Sequence, residues 1–486
     1  MELLQPAGEL WFNQWLFVKL LGLVYLIAFA SLLRQLPGLY GRNGLLPIAD
    51  YLRAVRRRAG GKGFRMTPSL FWFRDGDRWL LATAWGGIVC AVLLICGLWP
   101  PLLLALLWWG YFSFVVAGRD FLSFQWDALL LEAGFISIFY ALVTPPTPLM
   151  TAVYWFFVFR FMISAGVVKL TSGDPDWRRL RALDHHYQTQ PLPNRGGWHA
   201  HQLPRALQSF STLGTFFFEL LVPLLFLLTA PLRLLGTLLS VLFQGLIMLT
   251  GNYGFFNLLT LVLLLPLVDG RYLAPLQSWL DRLPPQATAG WAALAVSLLF
   301  SVFFLANLLQ LIGLFYPPAR ANRLLALLST YLISNPYGLF AVMTTERLEL
   351  IFEGSNDLEH WRAYEFRWKP GACDRAPGQA APHMPRLDWQ LWFAALRPEQ
   401  LEFWVLRLLQ GLLQGEPSVQ ALLKTVPFET PPTYLRVRIY RYSFTDRSEK
   451  RATGRWWRRT LIGDYPPVRL LPGEGRTTER LQFLEH

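Results

Sequence analysis

The stretch RDFLSFQWDALLLEAGF brings Arg119, Asp120, Gln125, Asp127 and Glu132 together between apolar runs. A charge in an apolar medium is costly unless it is paired or meets water, so such residues mark either a structural ion pair or a site. Asp120 and Asp127 are separated by two helical turns, as are Gln125 and Glu132, so each pair would share a face of a continuous helix. The cations available to them are Arg160 and Lys169, both in the apolar run 150–170. Two readings stay open: salt bridges between packed helices, or a buried polar site for a substrate or for protons.

Lys169 ends the segment FRFMISAGVVKL at the expected membrane edge. Its ammonium either snorkels to the headgroups or sits desolvated inside, where a lysine becomes a base. Asp184, His185 and His186 follow on a polar loop, with His199 and His201 beyond. His-His with H-x-H suggests a metal, but adjacent histidines on a loop point apart and only Asp184 is close enough to add a ligand. No metal is therefore expected. Glu219 and Gln244 stand alone in later apolar runs, where lone polar groups usually join helices. No P-loop, dinucleotide fingerprint, nucleophile elbow or zinc motif occurs, so nothing in the motifs demands a classical enzyme.

The elements that must position these residues are membrane spans. Of 486 residues, 53% are hydrophobic and only 16% charged, against about 25% charged in soluble domains. Apolar runs occupy 12–33, 79–98, 101–117, 121–143, 150–170, 214–230, 232–250, 252–268 and 289–316. Spanning takes about 20 residues, which predicts about eight helical spans. The run at 10–30 lacks the basic flank of a secretory signal and reads as a retained first span.

Residues 1–320 are thus expected to form a transmembrane helical bundle with polar loops at 34–78 and 171–208. Residues 321–486 are expected to form an extramembrane α+β domain, β-sandwich-like with a helical insert. Strands are predicted within 337–353, 361–369 and 433–444, and amphipathic helices at 388–396 and 399–413. The net charge of +13 sits largely in loops flanking the spans, which suits anionic headgroups rather than nucleic acid. The positive-inside rule would place loop 34–78, and with it loop 171–208, in the cytoplasm. The absence of N-x-S/T sequons favours a bacterial inner membrane over a glycosylating compartment.

Four blocks carry a resemblance: RDFLSFQWDALLLEAGF, FRFMISAGVVKLTSGDPDWRRLRALDHHYQTQPLPN, NPYGLFAVMTTERLELIFEGSND and EFRWKPGACDRAPGQAAPHMPRLDWQLWFAAL. In this order over about residues 120–400, with GRNGLLPI in the basic loop, they resemble the lipase maturation factor family. The resemblance implies a polytopic membrane protein needed to fold and assemble secreted lipases into active homodimers. Its C-terminal domain would face the endoplasmic reticulum lumen, or the periplasm in a bacterium, and contact the client. Candidate client-binding residues are Trp361, Tyr364, Trp368, Arg386, Asp388, Trp389 and Trp392, although most such aromatics serve a domain's own core.

A more distant likeness concerns AGVVKL, followed by DW, and NPYGLF, which are similar to the membrane half of vitamin K-dependent gamma-carboxylases. There a lysine in the matching stretch helps to form the base site for a reduced quinone; carried over, it falls on Lys169. The alternative function is therefore a membrane enzyme acting on a lipid or quinone, with Lys169 as base and Asp127, Glu132 and Arg160 as its polar shell. No cofactor is evident beyond such a bound lipid or quinone.

Overall fold

A computed structural model describes residues 7–280, 287–316, 323–471 and 480–484. Among them, seven helices are long and apolar enough to cross a membrane, or eight if the sharply bent pair Phe256–Leu267 and Gly270–Trp279 is one span. The chain is a polytopic membrane protein, as its apolar runs require. Prolines in the first turn open the helices Pro100–Gly118, Pro148–Thr171 and Ala230–Thr250, where a missing N–H costs nothing. Gly97, at φ 93°, closes Asp77–Cys96 in the left-handed conformation that glycine tolerates.

The expected run 121–143 is shorter than a full span. A 3-10 turn at Arg119–Leu122 and a break at Ser123–Phe124 precede the helix Gln125–Tyr140. The break defeats the spacing argument for Asp120 and Asp127, which assumed one continuous helix. Arg119 is exposed and Asp120 half-buried at this turn, so neither belongs to a buried cluster. Gln125–Tyr140 is instead almost wholly enclosed by its neighbours, with Asp127 and Glu132 both buried.

The polar loops gather at one end of the bundle. Gly38 abuts the Ser418 carbonyl, and the Phe121 carbonyl accepts from Arg386 at 2.8 Å. The Thr189 carbonyl accepts from the Trp392 indole at 2.7 Å, and the Gly378 carbonyl from Asn252 at 2.8 Å. Loops 34–78 and 171–208 therefore lie on the same side as the C-terminal region. At the opposite end, Gln14 donates to the Val143 carbonyl at 2.8 Å, and Thr288 N–H donates to the Thr144 carbonyl at 2.8 Å.

The C-terminal region is built on antiparallel sheets. The larger runs β2 (Arg362–Ala363), β1 (Arg347–Ser355), β5 (Tyr434–Phe444), β7 (Val468–Leu471), β8 (Arg480–Phe483), with β6 (Trp457–Asp464) also on β5; the smaller pairs β3 (Glu365–Phe366) with β4 (Leu423–Thr425). Register sets Glu353 opposite Arg436, and the two meet at 2.7 Å, so part of the cationic face expected on β5 is neutralised by its neighbour. The predicted strand at 337–353 begins only at Arg347, because residues 337–346 are held as an irregular loop by the membrane helices. Helices Arg386–Ala395 and Phe403–Leu413 cover the sheet. A single hydrophobic cluster runs from Phe17 and Tyr154 through Trp126 and Trp389 to Trp404 and Val437. The halves thus share one core; the boundary expected between 320 and 321 falls outside the described residues.

Candidate functional site

The expected intramembrane cluster resolves into three separate ion pairs. Asp127 takes Arg386, not Arg160 or Lys169. The guanidinium grips the carboxylate with both arms, Nη1 to Oδ2 at 2.9 Å and Nη2 to Oδ1 at 2.8 Å. Tyr111 donates to the same carboxylate at 2.5 Å, and the Arg386 N–H donates to Gln35 at 2.8 Å. Each partner is about 1% exposed, and a buried charge of this kind is tolerable only when its hydrogen bonds are filled.

Glu132 pairs with Arg160, and the loop Asn335-Pro336-Tyr337-Gly338 folds around them. One Glu132 oxygen accepts from Arg160. The other accepts from the Asn335 N–H at 2.9 Å, its amide at 3.1 Å and the Tyr337 hydroxyl at 2.7 Å. Arg160 completes the ring through the Asn335 carbonyl at 2.7 Å and Asn307 at 2.6 Å. Gln125 exchanges two hydrogen bonds with the backbone of Gly338. A Cβ on Gly338 would stand 2.5 Å from Val168, so only glycine lets the loop lie this close. Farther along, Trp177 donates to the Phe340 carbonyl at 2.9 Å, and Met343 N–H to Asp174 at 2.6 Å.

The loop closes one wall of a cavity of about 420 Å³. Lys169 is buried and lines that cavity. Its Nζ donates to both Glu219 oxygens at 2.8 and 2.9 Å and to the Ala165 carbonyl at 3.2 Å, over the face of Trp177. The polar shell expected for Lys169, namely Asp127, Glu132 and Arg160, is spent in the other two pairs. Its partner is Glu219, one of the residues expected only to join helices. Glu219 lies in a π-helical turn, Phe217–Leu221, a distortion common at functional sites. Gly166 makes the approach possible, since a Cβ there would sit 2.6 Å from Leu220. A lone acid in the run 214–230 and a cation in the run 150–170 were the available signal for this pair.

His185 and His186 are helical, not on a loop: Ala182–Thr189 is a short helix, started and ended within the polar segment. His186 reaches the cavity wall and meets the Tyr253 hydroxyl at 3.1 Å. Burial, then the Lys169 charge, pulls its pKa down to about 4, so it is neutral near pH 7. Asp184 points elsewhere, 3.8 Å from both Arg181 and Arg205. Among the described residues no three His, Cys, Asp or Glu side chains converge as metal ligands.

The residues expected to face a client are mostly interior. Arg386, Asp388, Trp389, Trp392 and Tyr364 are all buried. Their physical role is internal: Asp388 accepts from the N–H groups of Trp368 and Lys369 at 2.8 and 2.9 Å. Trp389 packs edge-on against Trp126, and Trp392 ties down Thr189. Trp361 and Trp368 stay half-buried. A buried charge set that sequence reasoning missed, Arg347, Glu349 and Lys369, fixes β1 to the carbonyls of Gln188 and Pro191.

Comparison with known proteins covers both halves. The lipase maturation factor transmembrane domain matches residues 12–275, and the lipase maturation factor C-terminal domain residues 333–467. The chain is 34% identical to lipase maturation factor 2 of Rattus norvegicus and of Homo sapiens, each alignment covering 93% of this chain and 82% of the relative. It is 33% identical to lipase maturation factor 1 of Bos taurus, over 98% of this chain and 92% of the relative. No solved structure matches it.

Proposed function

The chain belongs to the lipase maturation factor family, and from that premise we propose that it is a membrane-embedded maturation factor, a chaperone for the folding or assembly of exported lipases. The observation that carries this reading is the extent of the likeness: 93% of the chain aligns with proteins named for lipase maturation. The shared core and the buried Asp127–Arg386 pair support it further, because they make bundle and sheet one working unit.

Clients meet the end that carries the sheet. Among the described residues β6 pairs with no strand but β5, so beyond Trp457, whose N–H donates to the Cys373 carbonyl at 3.1 Å, its other edge offers N–H and C=O groups to an extended segment. Arg458 to Ile462 on this strand are exposed. The test is a photo-crosslinking residue placed at Ile462 of the full chain in membranes with a co-expressed secreted lipase. A crosslink to the lipase caught before it becomes active supports the reading; crosslinks with no lipase in them refute this surface.

This function requires the sheet-bearing end to face the export side: the periplasm of a bacterial inner membrane, or the lumen of a eukaryotic endoplasmic reticulum. The same end carries the basic loop 34–78, which the positive-inside rule would keep in the cytoplasm. Sidedness is accordingly a stringent test. A reporter enzyme active only outside the cytoplasm, fused after Leu471, reports activity if the proposal holds and silence if it fails.

A second reading, chemistry at Lys169 on a lipid or quinone, is favoured by the position of its Nζ on a cavity wall. Acting as a base, Lys169 must first lose its proton, and Glu219 is the acceptor in place. Lys169→Arg keeps the charge but holds its proton at any working pH. Undiminished lipase maturation by that variant removes the reading; loss of maturation with an unchanged melting temperature supports it.

A further inference from the structure

The cavity beside Lys169 combines three properties that select a ligand. Its size, about 420 Å³, lies within the roughly 300–1,000 Å³ of small-ligand pockets, too small for a whole lipid but enough for a head and the start of a chain. Its wall is electrically balanced. The charged residues on it, Lys169 and Glu219, neutralise each other, and His186 is neutral. An anionic or cationic head would find no uncompensated partner there.

The third property is spare acceptor capacity. An ionised carboxylate offers about four lone-pair sites, and both Glu219 oxygens accept hydrogen bonds from Lys169, which leaves acceptor capacity on the wall. Several neighbouring polar groups are already engaged. The Tyr337 hydroxyl is committed to Glu132, the Gln125 amide to Gly338, and Asn257 to Gln244 at 2.8 Å. A hydroxyl head can donate to Glu219 and still accept from an amide such as that of Gln244, whose oxygen alone is taken by Asn257, whereas an ester or a quinone only accepts.

The cavity also reaches the outer face of the bundle. Phe210 and Leu246 line it from Arg205–Phe216 and Ala230–Thr250 and are 71% and 47% exposed. Gly214, also on the lining, has no atom within 4 Å of where a Cβ would be. These are apolar helices, so the opening faces the hydrocarbon layer, where an acyl chain can lie.

We propose that this cavity binds a neutral lipid alcohol, its hydroxyl head on Glu219 beside Lys169 and its tail leaving past Phe210 and Leu246 into the bilayer. The site does not depend on the maturation reading; it would hold for a protein of any function with this geometry.

The test uses the full chain in nanodiscs of phosphatidylcholine. Four photoactivatable probes share one tail: a monoacylglycerol, the methyl ester of the same acid, the free acid, and a quinone. The monoacylglycerol should label peptides from residues 205–219 and 243–250, and the other three about tenfold less, the ratio one hydrogen bond to a charged group provides. Gly214→Trp fills the open space without touching the ion pair, and should cut labelling by a similar factor at an unchanged melting temperature. Equal labelling by the ester, the acid or the quinone overturns the choice of ligand. Labelling undiminished in Gly214→Trp overturns the site.

Discussion

Arg386 and Asp127 form a two-armed ion pair inside the protein although 259 positions separate them. The pair joins a helix under the sheet to a helix in the membrane bundle, so the two halves cannot separate without exposing a charge to apolar surroundings. Removing one partner should destabilise the protein by about 3–5 kcal/mol, and replacing both by apolar residues of similar size should cost much less. Melting of Asp127→Leu, Arg386→Met and the double variant measures this. A double variant as unstable as the sum of the singles would deny the coupling.

The loop Asn335–Gly338 owes its position to Glu132. Tyr337→Phe removes one hydrogen bond to a buried carboxylate and should cost about 1–3 kcal/mol. Limited proteolysis should then cut within 331–346 faster than in the parent. An unchanged rate would mean that the loop is held elsewhere.

Close approach at Gly166 is required for the Lys169–Glu219 pair. Gly166→Val would force Leu220 and the π-helical turn outward, at about 1–3 kcal/mol for overpacking. Gly214→Val, in the same pair of helices but with open space at the Cβ, should be neutral or slightly stabilising. Melting temperatures of the two variants decide; equal effects would show that the space at Gly166 is not limiting.

Acid sensitivity should come from two histidines outside the spans. His186 and His383 both fold neutral, burial pulling each pKa down to about 4 from an ordinary 6.5. The unfolded chain therefore takes up these protons first. Stability is fully present above about pH 6.5 and declines as pH falls toward 4, by about 3 kcal/mol per histidine. His383→Asn, which can keep a hydrogen bond to Ser31 (2.9 Å from the ring in the parent), should flatten the decline in melting temperature over that range. A variant with the parent's slope would remove His383 from the effect.

The membrane half was legible because its apolar runs are as long as a bilayer is thick, and the family because four blocks stand in order along the chain. The charged residues were legible as residues in costly places, but not their pairing. Asp127 finds Arg386 through a fold that brings residue 386 back into the bundle, and no local period encodes that return. The aromatic-rich block around Arg386, Asp388 and Trp389 admitted both a core and a client face, because composition does not distinguish a binding face from a seam between two packed halves. Arg119 and Asp120 were misplaced by a helix break at Ser123 that neither proline nor glycine announces. Glu219 was within reach of sequence reasoning, since a lone acid in one apolar run needs a cation from another and Lys169 was one of few on offer.

The central claim is maturation of exported lipases by this chain as one unit. Its most direct measurement is the specific activity of a secreted lipase, activity per mass of lipase recovered, in a host that lacks any relative of this protein. Co-expression of the full chain should raise that specific activity several-fold, and Arg386→Met should abolish the gain while lipase synthesis continues. A lipase equally active per mass with and without the chain would contradict the claim.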